Sequence, residues 1–462
     1  MKETIPKHTI RLAEHCADIR ADNLEGDVIE HVKYLLLDFI GLSAKGLVME
    51  STQQVHGLIR QMGGSGDGTV IGTGLKPLPQ YAALANASSS HSMSLDDIYT
   101  PASIHPGSAI LAAALAAGEW KGSSGLKIIE AAVAGYETTL RIADAVDSKG
   151  HYAMGYHPTA TCGTFGATAV AAKLLDLNAE QITNAFGVAG SMAAGLMAFM
   201  QDGSWTKRIH PGLSAQRGLQ AAVLAAQGFK GPNEILEGKW GFLSATSNLS
   251  DPAKLIEGLG GRPRVMDTGL KLHACCRYNQ SAIDAVLELR KKHDVSADKI
   301  EKIEVELFKA AFPLVVDPWE DKMNPKTDVQ AQFSLPYTVA LAAVKGRVSF
   351  EEFSPEVLHD PKVRAVMKKV EVIYNPDLDF LFPESWPTKV IISDMDGNVF
   401  DARIDYPKGD IENPLSWEEL TDRFKDHTGT VFEETKKCRI VDTVTNLQKL
   451  ENVRQLTALL GN

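Results

Sequence analysis

Three His-Pro pairs in the sequence are candidates for acid–base chemistry: His105-Pro106, His157-Pro158 and His210-Pro211. Proline suits the first turn of a helix and keeps the residue before it out of the helical conformation. Each histidine is therefore predicted to lie at a helix N-terminus, where unpaired N–H groups and the helix dipole favour a carboxylate. The same field disfavours imidazolium, so these rings should be neutral and able to accept a proton. The structural alternative is that each pair only begins a helix.

A polar segment precedes the first pair. It contains His91, the adjacent acids Asp96 and Asp97, and Thr100, and it ends at His105. Acids at this spacing could orient the imidazole, act as acid or base, or bind a metal. A metal site is the weaker interpretation, because the sequence has none of the common metal-binding motifs. Helix capping is the structural alternative for the two acids.

Cations elsewhere in the chain could bind an anionic substrate. Lys207 and Arg208 are adjacent and come just before the third His-Pro pair, in a chain whose formal net charge is −11. Arg277 follows two cysteines and could bind a carboxylate through two parallel hydrogen bonds. Each of these cations could instead be a solvated surface residue. Tyr337 lies just inside a predicted helix and could donate a proton, or it could pack in the core.

Helical periodicity covers the first 265 residues or so and returns near the C-terminus. The predicted helices are residues 28–42, 106–120, 126–146, 159–177, 179–200, 213–227, 417–425 and 447–460. Several are rich in alanine and glycine, which predicts that they pack closely against one another.

Alternating hydrophobic residues between these helical parts predict strands at 302–308, 369–374, 389–393 and 399–406, the last two forming a hairpin. Helices are predicted among them at 281–293 and 336–345. The fold class is therefore mainly α with an α+β part. A large all-helical domain, discontinuous in sequence (1–268 and 411–462), is expected to carry a smaller α+β lid domain (269–410). A cleft between the domains is the expected place for a ligand.

The composition is that of a globular protein, with 44% hydrophobic and 23% charged residues. Its acidity argues against nucleic acid or an anionic membrane as the main partner. The N-terminus lacks the apolar region of a signal peptide, and residues 182–200 fit a buried helix better than a membrane span. The five cysteines have neither zinc-site nor disulfide spacing, which favours a reducing compartment, and we expect the cytoplasm.

The order and spacing of several motifs resemble the MmgE/PrpD family over nearly the whole chain. In chain order they are Leu37-Asp38-Phe39-Ile40-Gly41, Asn86, His91…Asp96-Asp97…His105-Pro106, Gly135-Tyr136-Glu137, Gly155-Tyr156-His157-Pro158-Thr159, Lys207 with Gly212…Gly218, Cys276-Arg277 and Phe333-Ser334-Leu335-Pro336-Tyr337. Each motif is weak alone, whereas their common order across 300 residues is strong evidence. The family includes 2-methylcitrate dehydratases, cis-aconitate decarboxylase and iminodisuccinate epimerase.

The resemblance implies a helical domain with an α+β lid, usually in a homodimer, and an active site between domains without metal or organic cofactor. Carried over position by position, the catalytic residues would be Asp96, His105, His157, Lys207 and Tyr337, with Arg277 binding substrate. Candidate substrate contacts beside them are Thr100, Arg208 and Gln280.

The sequence departs from the family pattern at four positions. Ile98 and Tyr99 stand where Thr-His is common, and Gln280 stands where many members have histidine. Glutamine cannot carry charge or shuttle a proton, which puts dehydratase and decarboxylase activities in doubt if that histidine is catalytic. Ser94 lies where some decarboxylating members have aspartate.

The expected function is that of a cofactor-independent hydro-lyase, similar to 2-methylcitrate dehydratase, acting on a small di- or tricarboxylate. His105 or His157 would remove a proton next to a carboxylate, and Lys207 and Arg277 would neutralise the developing charge. Tyr337 or the second histidine would supply a proton. An epimerase, a cis-aconitate-type decarboxylase and a non-catalytic binding protein are the alternatives.

Overall fold

The computed structural model describes residues 7–382, 384–429 and 431–461. The chain forms two compact units. Unit 1 comprises Met1–Phe199, Trp205–Thr268 and Ser416–Asn462, and unit 2 comprises Met200–Ser204 and Gly269–Leu415. The sequence-based boundaries fall after residues 268 and 410. Unit 2 as observed also includes the short segment Met200–Ser204 and extends to Leu415.

Helices provide the regular structure of unit 1. Up to Thr268 they are α1 His8–Asp18, α2 Gly26–Lys45, α3 Glu50–Met62, α4 Pro79–His91, α5 Gly107–Lys121, α6 Gly125–Val146, α7 Ser148–Ala153, α8 Pro158–Leu174, α9 Ala179–Gly190, α11 Thr206–Ala226 and α12 Phe242–Thr246. The short helix α10 Phe199–Asp202 lies mostly in the Met200–Ser204 segment of unit 2. Proline begins α4 and α8, and a capping box of Asn178 and Gln181 begins α9.

Unit 2 combines helices with one sheet, as predicted. Its helices are α13 Gln280–His293, α14 Phe312–Val315, α15 Trp319–Lys322, α16 Asp328–Gln332, α17 Leu335–Lys345, α18 Pro355–Leu358 and α19 Pro361–Met367. Its strands are β1 Ile300–Leu307, β2 Val370–Tyr374, β3 Thr388–Asp394 and β4 Val399–Ile404, in the spatial order β2-β1-β3-β4. The β1–β2 pair is parallel, and the β1–β3 and β3–β4 pairs are antiparallel, so the predicted hairpin is confirmed. Side chains of β3 alternate between buried and half-buried, and α13 packs against β3 and β4.

The chain then returns to unit 1 through α20 Trp417–Thr428, α21 Glu434–Thr445 and α22 Arg454–Leu460. The centre of unit 1 is α8, which packs against α5, α6, α9 and α11. Glycines allow this packing, because a Cβ on Gly218 of α11 would lie only 2.6 Å from the Cβ of Ala167 in α8. Side chains at the ends of these helices are therefore held by closely packed backbones.

Three helix predictions were partly wrong. The helix predicted for residues 179–200 ends at Gly190, and residues 191–198 form turns that are mostly accessible to solvent. Helix α11 begins at Thr206, seven residues before the predicted start, so Pro211 lies inside it. The C-terminal helix predicted for residues 447–460 is a short 3₁₀ turn followed by α22. Among the described residues, no helix combines the length and apolar character needed to cross a membrane.

Candidate active site

Four histidine rings lie together in unit 1, and we call them the imidazole cluster: His91, His105, His157 and His210. Ring centroids are 5.6 Å apart for His91 and His105, 6.2 Å for His91 and His157, and 5.1 Å for His157 and His210. The rings come from the end of α4, the loop before α5, the start of α8 and the first turns of α11. The structure thus brings the three histidines of the His-Pro pairs into one group and adds His91 to it.

Asp96 orients His91. Nδ1 of His91 donates a hydrogen bond of 2.6 Å to Oδ2 of Asp96, and the hydroxyl of Ser108 donates to the same oxygen at 2.9 Å. All three side chains are buried. With its proton held on Nδ1, a neutral His91 has an unprotonated Nε2. Of the roles left open for the acid pair, orienting an imidazole fits Asp96, although its short contact is with His91 and it lies 3.8 Å from Nδ1 of His105.

His105 is oriented by backbone. Its Nδ1 donates to the carbonyl oxygen of Asp97 at 2.8 Å, and its backbone N–H donates to the hydroxyl of Thr159 at 3.2 Å. A carbonyl oxygen only accepts, so Nδ1 carries the proton and Nε2 of neutral His105 is unprotonated. His105 lies just before α5, whose N-cap is Pro106, as the His-Pro pattern predicts.

His157 and His210 contact each other directly. Their Nδ1 atoms are 3.0 Å apart and share one hydrogen bond. His157 is the N-cap residue of α8, in agreement with the prediction. His210 is not at a helix N-terminus, and that prediction was wrong, because α11 already begins at Thr206 and Pro211 is accommodated within it.

Burial keeps this pair uncharged. The pKa of His157 is well below its usual value because burial disfavours imidazolium, and the nearby His210 adds to the effect. Burial, followed by the influence of His91 and Lys207, lowers the pKa of His210 to about 4. Both rings are therefore neutral at physiological pH, and the ring that donates the shared hydrogen bond can accept a proton on Nε2.

Lys207 supplies positive charge beside the cluster. Its Nζ donates a hydrogen bond of 3.1 Å to the hydroxyl of Ser94, and the side chain is largely buried. Its position three residues before His210 in α11 places the two side chains on the same face of the helix. Arg208 is also buried and is turned towards Ser51, with Nη1 3.5 Å from that hydroxyl.

The second acid, Asp97, has a structural position. Its carboxylate accepts hydrogen bonds from the backbone N–H of Gly107 at 2.8 Å and from the hydroxyl of Tyr136 at 2.7 Å. A Cβ on Gly107 would lie 2.6 Å from the Tyr136 hydroxyl, so glycine is required for this approach. Burial, followed by the charge of Asp96, raises the pKa of Asp97 to about 8. The capping alternative for this residue therefore agrees with the structure.

Ile98 and Tyr99, which follow the acid pair and differ from the common family pattern, have structural positions. Ile98 is buried, and the Tyr99 hydroxyl donates to both oxygens of Asp144 at 3.0 and 3.1 Å. Thr100 begins a short 3₁₀ turn and is half-buried. Tyr99 thus fastens this loop to α6.

Arg277, the candidate carboxylate-binding residue of unit 2, has a buried guanidinium with only 3% of the residue exposed. Its Nη2 donates to Oδ2 of Asp410 at 2.5 Å, and its Cζ lies 5.2 Å from the ring centroid of Trp386. Among the described residues, its Nε and Nη1 have no hydrogen-bond partner. Buried N–H donors without an acceptor are costly, so this side chain is suited to anionic oxygens at Nε or at Nη1.

Two other candidates in unit 2 have structural contacts. The side-chain amide of Gln280 accepts from the backbone N–H of His273 at 3.1 Å and donates to its carbonyl oxygen at 2.9 Å. The Tyr337 side chain is fully buried, and its hydroxyl donates to the carbonyl oxygen of Glu352 at 3.1 Å. These contacts assign Gln280 to holding the loop before α13 and Tyr337 to the core of unit 2. They give no support to the predicted roles in binding and catalysis.

The contacts of His91 with Asp96 and of His210 with His157 were not predicted from the sequence. His91 was seen only as part of a polar segment, although a histidine five residues before an acid in a buried loop is a usable signal. His210 was singled out as a His-Pro pair, but nothing local in the sequence pairs it with His157, 53 residues away. Only the packing of α8 on α11 brings the two rings together.

Chemically, the imidazole cluster offers the neutral His157–His210 pair beside a lysine ammonium. In the described part of the chain, no group of three or more His, Cys, Asp or Glu side chains is arranged to hold a metal ion. Proton transfer to or from a carbon next to a carboxylate needs a base and a positive charge for the enediolate, and both are present in unit 1.

Comparisons with known proteins agree with this chemistry. The MmgE/PrpD N-terminal domain matches residues 10–254, and the MmgE/PrpD C-terminal domain matches residues 273–449. A cis-aconitate decarboxylase-like protein of Aspergillus oryzae is 26% identical over 98% of this chain and 97% of its own length. Human cis-aconitate decarboxylase is 26% identical over 96% of this chain and 92% of its own length. The 2-methylcitrate dehydratase of Escherichia coli K12 is 23% identical over 62% of this chain and 61% of its own length. The two domain matches cover most of the sequence, and the chain therefore belongs to the MmgE/PrpD family.

Proposed function

We propose that the protein is a lyase that acts on a small di- or tricarboxylate and moves a proton next to one of its carboxylates. The observation that carries this proposal is the buried, uncharged His157–His210 pair in the same helical unit as the Lys207 ammonium. A neutral imidazole can accept the proton, and Lys207 can stabilise the negative charge that develops on the carboxylate oxygens.

The leading form of the proposal is a hydro-lyase. One C–H bond and the C–O bond on the neighbouring carbon break, a C=C bond forms, and water leaves. His157 would accept the proton from carbon, because its low pKa keeps it unprotonated. The leaving hydroxide needs a proton donor, and the N–H of a second ring in the cluster or the Lys207 ammonium could supply it.

A decarboxylase is the second candidate, and the full-length similarity to cis-aconitate decarboxylases favours it. In that reaction a C–C bond breaks, CO₂ leaves, and the electron pair on the remaining carbon takes up a proton. The same cation would stabilise the charge, but a histidine would have to deliver a proton rather than remove one. In the hydro-lyase reaction a histidine of the cluster therefore removes a proton from carbon, whereas in the decarboxylase reaction a histidine delivers one to carbon.

The direct test follows a panel of acids by NMR in D₂O with the full-length protein. The panel should include cis-aconitate, 2-methylcitrate, citrate and malate. A hydro-lyase gives an alkene and incorporates deuterium next to a carboxylate during reversal. A decarboxylase gives deuterated product and CO₂, and an epimerase gives deuterated, inverted acid. EDTA is included in parallel, and activity is expected to survive it.

The outcomes separate the candidates. Alkene formation from a hydroxy acid supports the hydro-lyase, and CO₂ release without hydration supports the decarboxylase. Inversion without elimination would replace both with the epimerase. Binding of an acid without exchange or turnover across the panel would contradict the enzymatic proposal and favour a binding protein.

A further inference from the structure

The hydrogen bond between His157 and His210 constrains which nitrogen of each ring carries a proton. We propose that His210 is a positioning residue that holds His157 in the tautomer with the proton on Nδ1, which leaves Nε2 of His157 as the proton-accepting atom. The catalytic consequence rests on the proposed function, whereas the tautomer itself can be measured without a substrate.

The argument begins with a proton count. A neutral imidazole carries a single N–H. In a hydrogen bond between two Nδ1 atoms 3.0 Å apart, one ring must donate and the other must accept. The donor ring then has an unprotonated Nε2, and the acceptor ring carries its proton on Nε2. The two tautomers are therefore coupled, and neither ring can change its tautomer alone without losing the hydrogen bond.

The surroundings favour His157 as the donor. His157 is the N-cap residue of the 17-residue helix α8, where the positive end of the dipole lowers the basicity of the ring. His210 lies inside α11, past its first turn, and is less exposed to such a field. The more basic Nδ1, that of His210, is expected to accept.

Packing fixes the relative position of the rings. The Ser214 hydroxyl contacts the carbonyl oxygens of Ala160 in α8 at 2.7 Å and His210 in α11 at 3.0 Å. The backbone N–H of His157 donates to the carbonyl oxygen of Gly195 at 3.0 Å. Phe199 packs edge-on against both rings, at centroid distances of 5.8 and 6.1 Å. The hydrogen bond therefore lies between two packed helices, with an aromatic ring on one side.

In the catalytic step, the substrate C–H bond breaks and its electron pair stays on the substrate as the enediolate. The proton bonds to Nε2 of His157, which becomes imidazolium. Its Nδ1–H continues to donate to His210, and this contact partly offsets the cost of charge in a buried site. Without His210, both tautomers of His157 would be populated and only one would have a free lone pair on Nε2.

The test uses the full-length protein labelled with ¹⁵N-histidine and long-range ¹H–¹⁵N NMR, with His157 assigned from His157→Gln. We expect wild-type His157 to be protonated on Nδ1 and His210 on Nε2. His151 is an internal reference, because its Nδ1 contacts the carbonyl oxygen of Thr246 at 2.9 Å and must carry a proton in every variant.

Two substitutions at position 210 form a matched pair. His210→Phe removes the acceptor, so His157 should lose its preference for the Nδ1–H tautomer and kcat for solvent exchange should fall at least about tenfold, with KM changing less. His210→Asn places an amide oxygen near the position of Nδ1, so it should restore the tautomer and part of the lost rate.

A wild-type spectrum with His157 protonated on Nε2 would overturn the proposal, and so would an unchanged His157 tautomer in His210→Phe. If His210→Phe does not fold, the wild-type spectrum and His210→Asn still decide. The expected tautomer combined with no exchange into any acid would support the positioning role and contradict the proposed function instead.

Discussion

The two units hold their candidate functional groups in different ways. In unit 1 the groups are mainly imidazoles, of which burial keeps His157 and His210 neutral and joined by one hydrogen bond. In unit 2 the group is the guanidinium of Arg277, whose charge is permanent and is anchored by Asp410 on one side. Unit 1 therefore offers rings that can gain or lose a proton, whereas unit 2 offers the permanent positive charge of Arg277.

This contrast separates chemistry from binding. A neutral ring on closely packed helices can gain or lose a proton at a fixed place, which a catalytic step requires. A fixed cation with unused N–H donors suits the carboxylate of a ligand in both its ground state and its transition state. Substitutions in the imidazole cluster should therefore change kcat, and substitutions at Arg277 should change KM.

The largest effect is expected for His157→Gln. Losing a general base costs two to four orders of magnitude, and we expect solvent exchange into the substrate to fall about a thousandfold or more. Exchange in D₂O measured by NMR checks this, with the exposed His359→Gln of unit 2 as the control for the same substitution. Exchange at the native rate would exclude His157 as the base.

Lys207→Ala should follow, with a loss of at least about a hundredfold in kcat, comparable to the removal of one oxyanion donor. The fold should survive, because Nζ donates to the small hydroxyl of Ser94 and the rest of α11 keeps its packing. Steady-state kinetics and thermal melting measure both effects. A variant with near-normal kcat would remove Lys207 from the reaction.

The pH profile should reveal the neutral pair. A base with the ordinary histidine pKa of 6.5 loses about thirtyfold in rate by pH 5. The pKa of His210 is lowered to about 4 and that of His157 lies well below its usual value, so kcat/KM should stay nearly constant from pH 7 to 5.

The same shifts fix the sign of the stability effect. These rings bind fewer protons in the folded than in the unfolded state, so their contribution to the free energy of unfolding should be constant above about pH 6.5 and decrease as the pH falls towards 4. Urea unfolding at several pH values measures this. In the kinetic pH profile, a fall in kcat/KM with a midpoint near pH 6.5 would mean that a different group is the base.

Arg277→Lys should have a smaller effect of a different kind. Lysine keeps the charge but loses the two-pronged hydrogen bonding, so KM should rise about tenfold with kcat within about twofold. Kinetics against substrate concentration separate the two constants. A fall in kcat with an unchanged KM would break the assignment of chemistry to one unit and binding to the other.

The smallest effect is expected for Tyr337→Phe. The lost hydrogen bond to the carbonyl oxygen of Glu352 should lower the free energy of unfolding by about 1 kcal/mol. Activity should stay within about twofold, because this hydroxyl is buried and donates to the carbonyl oxygen of Glu352 within unit 2. A hundredfold loss with an unchanged melting temperature would return Tyr337 to the catalytic residues expected from the sequence.

Elements with strong local signals could be predicted from the sequence. Pro158 at the first position of α8, the Ser334 cap before Tyr337 and the alternation of β3 each leave a clear pattern, and these elements lie close to their expected bounds. Asp96, His105, His157 and Lys207 were found because their residue types and motif context point to chemistry. Their grouping in unit 1 agrees with that expectation.

The errors come from competition between local rules and packing. Pro211 cannot donate to the carbonyl oxygen of Lys207, so a helix start was expected there, but α11 continues through it near its N-terminus. The run of small residues after Gly190 has no periodicity that marks the end of a helix. The positions of Tyr337 and Gln280 could not be inferred, because hydrogen bonds to Glu352 and His273 depend on tertiary structure.

The contact among Asp97, Gly107 and Tyr136 has a consequence for engineering. Since a Cβ at position 107 would lie 2.7 Å from Oδ2 of Asp97, no other amino acid can be introduced there without displacing the loop that carries Asp96 and His105. A library intended to change the acid that the protein accepts should therefore leave these three positions unchanged. Variation is better placed at Thr100, which is half-buried and begins the short 3₁₀ turn of this loop.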